Sequence, residues 1–169
     1  MKRLLIAMTL LLSLALTTMA QNNAPKAPEL EYVMELKVNC EAPFSCGMTS
    51  HGERVVIPIV GGTFEGPKLK GTILSGGADY QYVDQKNGRN EIEAIYCIKT
   101  DDGVNIHIRN CGLIVMGKGD NGAPQFYFRT APKFDAPNDS KYACLNNAIF
   151  ICSFGNGQGY ISLHVWMVK

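Results

Sequence analysis

The chain has 169 residues, a formal net charge of +1, 46% hydrophobic and 18% charged residues. Near-neutral charge without a basic run excludes a nucleic-acid binder that works by phosphate neutralisation. The length suits one domain with a single core.

The first 20 residues carry a basic start (Lys2, Arg3), an apolar stretch from Leu4 through Leu16, and a small-residue exit at Thr17-Thr18-Met19-Ala20. This predicts a secretory signal peptide over residues 1–20, cleaved after Ala20, and an exported product, periplasmic or secreted. Loss of Lys2 and Arg3 turns the net charge of +1 into −1. No later stretch reaches the ~20 apolar residues a membrane helix needs, so no membrane span is expected. Residues 21–29, rich in Asn, Ala and Pro, read as a flexible lead, and the domain is expected over residues 30–169.

From there β-branched and aromatic runs alternate with turn residues. Strands are predicted at 31–38, 54–60, 71–74, 79–83, 91–100, 104–109, 112–116, 125–130, 148–154 and 160–168. Asn87-Gly88, Asp102-Gly103, Asn121-Gly122 and Asn156-Gly157 supply turn residues that tolerate positive φ. Helical spacing is confined to Lys141–Ile149. Short strands at regular spacing imply an all-β sandwich or closed barrel, and 17 glycines help a sheet bend far enough to close.

Six cysteines in an exported chain invite disulfides, but their spacings match no zinc signature. Cys40 and Cys46, closing a short loop, are the candidate local pair; buried free thiols are the alternative for most of the six.

Residues 61–81 are a run of short β segments cut by glycine pairs: Gly61-Gly62, Gly66-Pro67, then Gly76-Gly77-Ala78-Asp79-Tyr80-Gln81. This block resembles the signature of the domain of unknown function 3237, whose members look like small antiparallel β-barrels with a shared Gly-Gly-Ala-Asp step. The resemblance selects the barrel: an antiparallel closed β-barrel of about ten short strands, lipocalin-like or allene-oxide-cyclase-like, with little helix. Tyr127-Phe128-Arg129-Thr130 and Leu145-Asn146 resemble further family segments. Where many relatives carry an arginine just before the tyrosine of Glu93-Ala94-Ile95-Tyr96, this chain has Ile95, which implies a less polar ligand.

Asp79 either serves as a general acid or base or accepts backbone N–H groups to hold the bend. Arg129 either reaches a ligand, paired with Asp79 across the lumen, or makes a rim salt bridge. Gln81, Tyr127 and Asn146 are candidate ligand contacts carried by the family-like segments. His107 alternates with Ile106 and Ile108, and His164 and Trp166 alternate with Leu163, Val165 and Met167. Period 2 leaves open which face looks into the lumen. If the polar face does, these three line a cavity, and the aliphatic face needs cover such as a homo-oligomer interface.

No nucleophile elbow, phosphate loop or dinucleotide fingerprint occurs, so neither cofactor nor metal is expected. Three functions remain in play. The first is a barrel binding a small, largely apolar molecule in its lumen. The second is an acid/base enzyme of cyclase, isomerase or lyase type using Asp79 and Arg129. The third is a structural or protein-interaction barrel without a ligand.

Overall fold

The computed structural model describes residues 25–119 and 121–169. The signal-peptide expectation, over residues 1–20, lies outside the described residues. Ten antiparallel strands follow in order: β1 (Leu30–Cys40), β2 (Phe44–Thr49), β3 (Gly52–Glu65), β4 (Lys70–Ile73), β5 (Gly77–Asp84), β6 (Arg89–Thr100), β7 (Asn105–Lys118), β8 (Pro124–Asp135), β9 (Phe150–Phe154) and β10 (Ile161–Val168).

From β5 to β10 each strand pairs with the next, β3 pairs with β1, β2, β4 and β5, and β1 pairs with β10, so the sheet closes on itself. Closure leaves few free edges, which is how a β protein of this size avoids edge-to-edge association. The barrel has eight positions around its wall. β4 and β5 share one, lying end to end between β3 and β6, and β1 and β2 share another along β3.

The strand count matches the expected ten, with one exchange. Residues 112–116, expected as a separate strand, continue β7, because Gly112 is a close approach and not a turn: a Cβ there would crowd the Thr130 backbone. The unexpected β2, Phe-Ser-Cys-Gly-Met-Thr, has little strand character and is exposed throughout. It forms by pairing with the half of β3 that overhangs β1. The predicted turn glycines Gly88, Gly103 and Gly122 take φ of 61°, 90° and 76°; at the last hairpin Gly159 supplies the positive φ.

The core fills the lumen from one face of each strand. Met34, Leu36, Ile98, Ile106, Ile108 and Val165 are fully buried, and Phe134 meets Phe150 edge-on at 4.9 Å. The aliphatic faces of β7 and β10 are therefore inside. Their own lumen is the cover those faces require. The helical stretch read at Lys141–Ile149 is a single 3-10 turn, Ala143–Asn147, beneath the barrel end where β1 begins. Among the described residues no helix is long and apolar enough to cross a membrane.

Candidate functional site in the barrel lumen

The Gly76-Gly77 pair sets the site. Gly76 takes φ 98°, a conformation L side chains rarely adopt. Gly77 lies so close to β6 that a Cβ would stand 2.5 Å from Tyr96 Cβ. The two glycines let the chain kink after β4 and run tightly along β6. Asp79 then faces inward opposite Ile57 on one side and Ala94 on the other.

Inside, Asp79 Oδ2 accepts a hydrogen bond from Gln81 Nε2 at 2.7 Å, and Gln81 Oε1 accepts one from Asn90 Nδ2 at 3.3 Å. Among the described residues Asp79 Oδ1 has no hydrogen-bond partner. Nor do Tyr96 Oη, Asn110 Oδ1 and Thr130 Oγ1, although these residues are only 3%, 1% and 4% exposed. Buried polar atoms are normally satisfied, because an unmade bond forfeits the group's hydration, at about 1–3 kcal/mol each. All four orphaned atoms belong to residues that line one cavity of about 50 Å³, each from a different strand.

That floor has room for the polar group of a ligand, not for a whole molecule. Above it the lumen turns apolar. Phe128 stacks on Phe154 at 5.0 Å, and Phe126 meets both rings edge-on. Phe126 and Phe154 are exposed at the mouth although they share the inward face of their strands, and Ile161 beside them lines the same cavity.

Burial pushes the Asp79 carboxyl above the usual carboxylate range, against the opposing pull of the Gln81 hydrogen bond. Burial also raises the Tyr96 phenol well above its ordinary range. Cys40, at the mouth of the same cavity, has its thiol raised by burial and then by the Asp79 charge. Cys152 is pushed up to about 12 by burial. Both thiols are therefore protonated at neutral pH and are poor nucleophiles. Among the described residues no cluster of three or more His, Cys, Asp or Glu side chains could hold a metal.

Several expected site residues stand elsewhere. Asp79 and Arg129 do not share a cavity, because strand alternation turns Phe128 and Thr130 inward and Arg129 outward. Arg129 Nη1 donates to the Phe128 carbonyl at 2.7 Å, and its guanidinium lies 5.5 Å from the exposed Tyr127 ring. His107 is on the outer face, with Nδ1 3.2 Å from Asp135 Oδ2. His164 and Trp166 are also outside: Tyr32 packs edge-on to both rings, and Trp166 Nε1 donates to Ser153 Oγ at 3.2 Å. Asn146 clamps the chain after β8, accepting from Ala136 N at 2.8 Å and donating to Ala136 O at 2.9 Å. Ile95 pairs with Ala78 on the outer face, so the missing arginine says nothing about lumen polarity. Cys40 and Cys46, the expected local pair, are free thiols.

Of the expected contacts, Asp79 and Gln81 are brought together. Tyr96, Asn110, Thr130 and Asn90 were missed. Their signal was parity: Asn110 continues the inward series of Ile106 and Ile108, and Tyr96 that of Ile92, Ala94 and Ile98. A polar residue at an apolar-face position is the mark to look for.

The family model for a protein of unknown function, DUF3237, matches residues 28–168. An uncharacterised protein of Clostridium acetobutylicum, assigned to the family UPF0311, is 33% identical over 137 residues, covering 75% of this chain and 85% of its own. One from Rhodopseudomonas palustris is 32% identical over 149 residues, covering 83% and 96%. The crystal structure of a β-barrel-like protein from Acinetobacter baumannii superposes with a TM-score of 0.74 at 30% identity, over 88% of this chain and 100% of that one. A crystal structure described as an enzyme from Penicillium herquei has a TM-score of 0.68 at 22% identity, over 88% and 99%, a likeness of fold alone.

Proposed function

We propose, from the premise that the chain belongs to the DUF3237 family, that this exported barrel holds a small, largely apolar molecule in its lumen. Its polar end sits on Asp79, Tyr96, Asn110 and Thr130, and its body lies against Phe128, Phe154 and Ile161. One observation carries the reading: four buried polar atoms without partners converge on one cavity. A packed core would have replaced them with apolar groups, since leaving them unmade costs stability. Asn110 Oδ1 can only accept, and among the described residues no Lys, Arg or His lines the cavity. A neutral head group that donates a hydrogen bond, such as a hydroxyl, fits this floor better than an anion.

Native mass spectrometry of the protein purified from its own host tests the proposal. A noncovalent adduct is expected on the parent and is lost in Asn110→Leu. A bare polypeptide mass, together with a crystal structure in which water alone occupies the four atoms, would overturn it. Export carries its own check: the intact mass should begin at Gln21, and a main species retaining Met1 refutes cleavage.

A second reading rests on the Asp79 carboxyl, which burial raises toward the pH range where it both takes and gives protons. In this reading Asp79 exchanges a proton with the bound head group in a cyclisation or isomerisation. Arg129, outside the wall, has no part in it.

A further inference from the structure

We propose that the protein is a two-fold dimer in which β2 of each copy adds to the free edge of β8 in the other, closing the side of the barrel mouth. The wall is incomplete at that end. β2 continues the line of β1 along β3, but β10 begins at Ile161, opposite Val38, and does not reach β2. β9 meets β8 at Arg129 and Thr130 and ends at Phe154, so residues 124–128 of β8 pair with β7 alone. The wall therefore opens between β2 and the start of β8, and among the described residues no strand covers either edge there. The backbone N–H and C=O groups along such edges are a template for a further strand.

Strand direction selects a second copy as the partner. β2 is antiparallel to β3, and the antiparallel steps from β3 through β5, β6 and β7 give β8 the direction of β3, so β2 and β8 run opposite ways on the two sides of the opening. A two-fold axis along the barrel sets one copy's β2 beside the other's β8, antiparallel like every other pair in the sheet, and does so twice. Both edges are then paired at once, whereas a single peptide strand would leave one open. Neither edge is guarded: β2 and residues 124–128 hold no charged residue, and their one proline, Pro124, stands at the strand's first position. Phe44 and Met48 of β2 are 52% and 79% exposed, Phe126 and Tyr127 of β8 58% and 43%. The six residues of β2, five of β8 and the loop 155–160 approach the roughly 20 residues a side of a stable interface. The same pairing covers Phe154 and Ile161 at the mouth, but it stands on the two edges and not on what the lumen holds.

Sedimentation equilibrium of the purified protein tests the assembly, and a dimer is expected. Met48→Lys on β2 and Gln125→Lys on β8 each put a charge on one edge and should each weaken the dimer roughly tenfold or more. Both side chains are exposed, so the circular dichroism spectrum should not change. Cross-linking reads the pairing directly, without destabilising it. In a cysteine scan over residues 124–128, diamide should join Cys46 of one copy to the new thiol of the other at one or two positions, because facing strands hold Cα atoms within the ~4.4–6.8 Å that a disulfide needs; peptide mapping identifies the pair. The proposal is overturned by a parent protein that stays monomeric, by sensitivity to only one of the two edge variants, or by a Cys46–Cys46 cross-link, which would mean that β2 pairs with β2.

Discussion

Asp79 ties pH to stability with a definite sign. Its folded pKa lies above the ordinary value of 3.8, so between the two values the native state binds more protons than the unfolded chain. Stability then falls as pH rises through that window, and the burial penalty is fully present at neutral pH. Asp79→Asn should therefore raise Tm at pH 7, and the gain should fade as pH drops below about 4. Thermal melts of both proteins from pH 3 to 8 check it; an Asn variant less stable at pH 7 would show that the carboxylate holds the bend together. The thiols give a second residue-scale expectation. Cys46 and Cys144 are exposed, whereas Cys152 is buried and its pKa is pushed up to about 12. Iodoacetamide at pH 7.5 should label Cys46 and Cys144 in the native protein and Cys152 only after denaturation. Labelling of Cys152 at the rate of Cys46 would mean that the lumen opens readily.

At the scale of elements, β5 is where sequence and site meet. The Gly-Gly-Ala-Asp step was legible because paired glycines before a carboxylate signal a bend with close backbone approach. That Asp79 points inward was not, since period 2 describes both faces equally. Gly77→Ala would drive a methyl into Tyr96 and push β5 off β6. It should cost roughly 2–4 kcal/mol in urea unfolding and weaken ligand binding by moving Asp79. A neutral outcome would mean that β5 yields freely. Gly62 works the same way on the other side of β3: it takes φ 133°, and a Cβ would overlap the Lys37 carbonyl, so Gly62→Ala should be comparably costly. β2 shows the opposite case, a segment with weak strand propensity that pairs because β3 overhangs β1.

For the whole molecule, closure depends on β1 meeting β10 along Leu30–Val38 and Ile161–Val168. Deleting residues 161–169 would open the barrel and expose both edges, along with Met34 and Leu36. Such a chain should lose cooperative unfolding and aggregate, which size-exclusion chromatography and circular dichroism would register; a monomeric, cooperatively melting product would mean that the remaining sheet suffices. Among the described residues the one helical element is a five-residue 3-10 turn, so a protein beginning at Gln21 should give a β spectrum with little signal near 222 nm.

The sequence by itself determined the all-β class, nine of the ten strand locations in outline, three of the four turn glycines, and the place of Asp79 beside its glycine pair. These follow from local chemistry: β-branched runs, residues that accept positive φ, and the absence of helical spacing. Only the tertiary structure decided which face looks inward, because a strand's two faces differ only in what closure places against them. Closure sent Arg129, His107, His164 and Trp166 outside and brought Tyr96, Asn110 and Thr130, distant in sequence, onto one floor with Asp79. It also left the cavity over that floor. A cavity is the space several strands fail to fill, and no single strand's sequence records it.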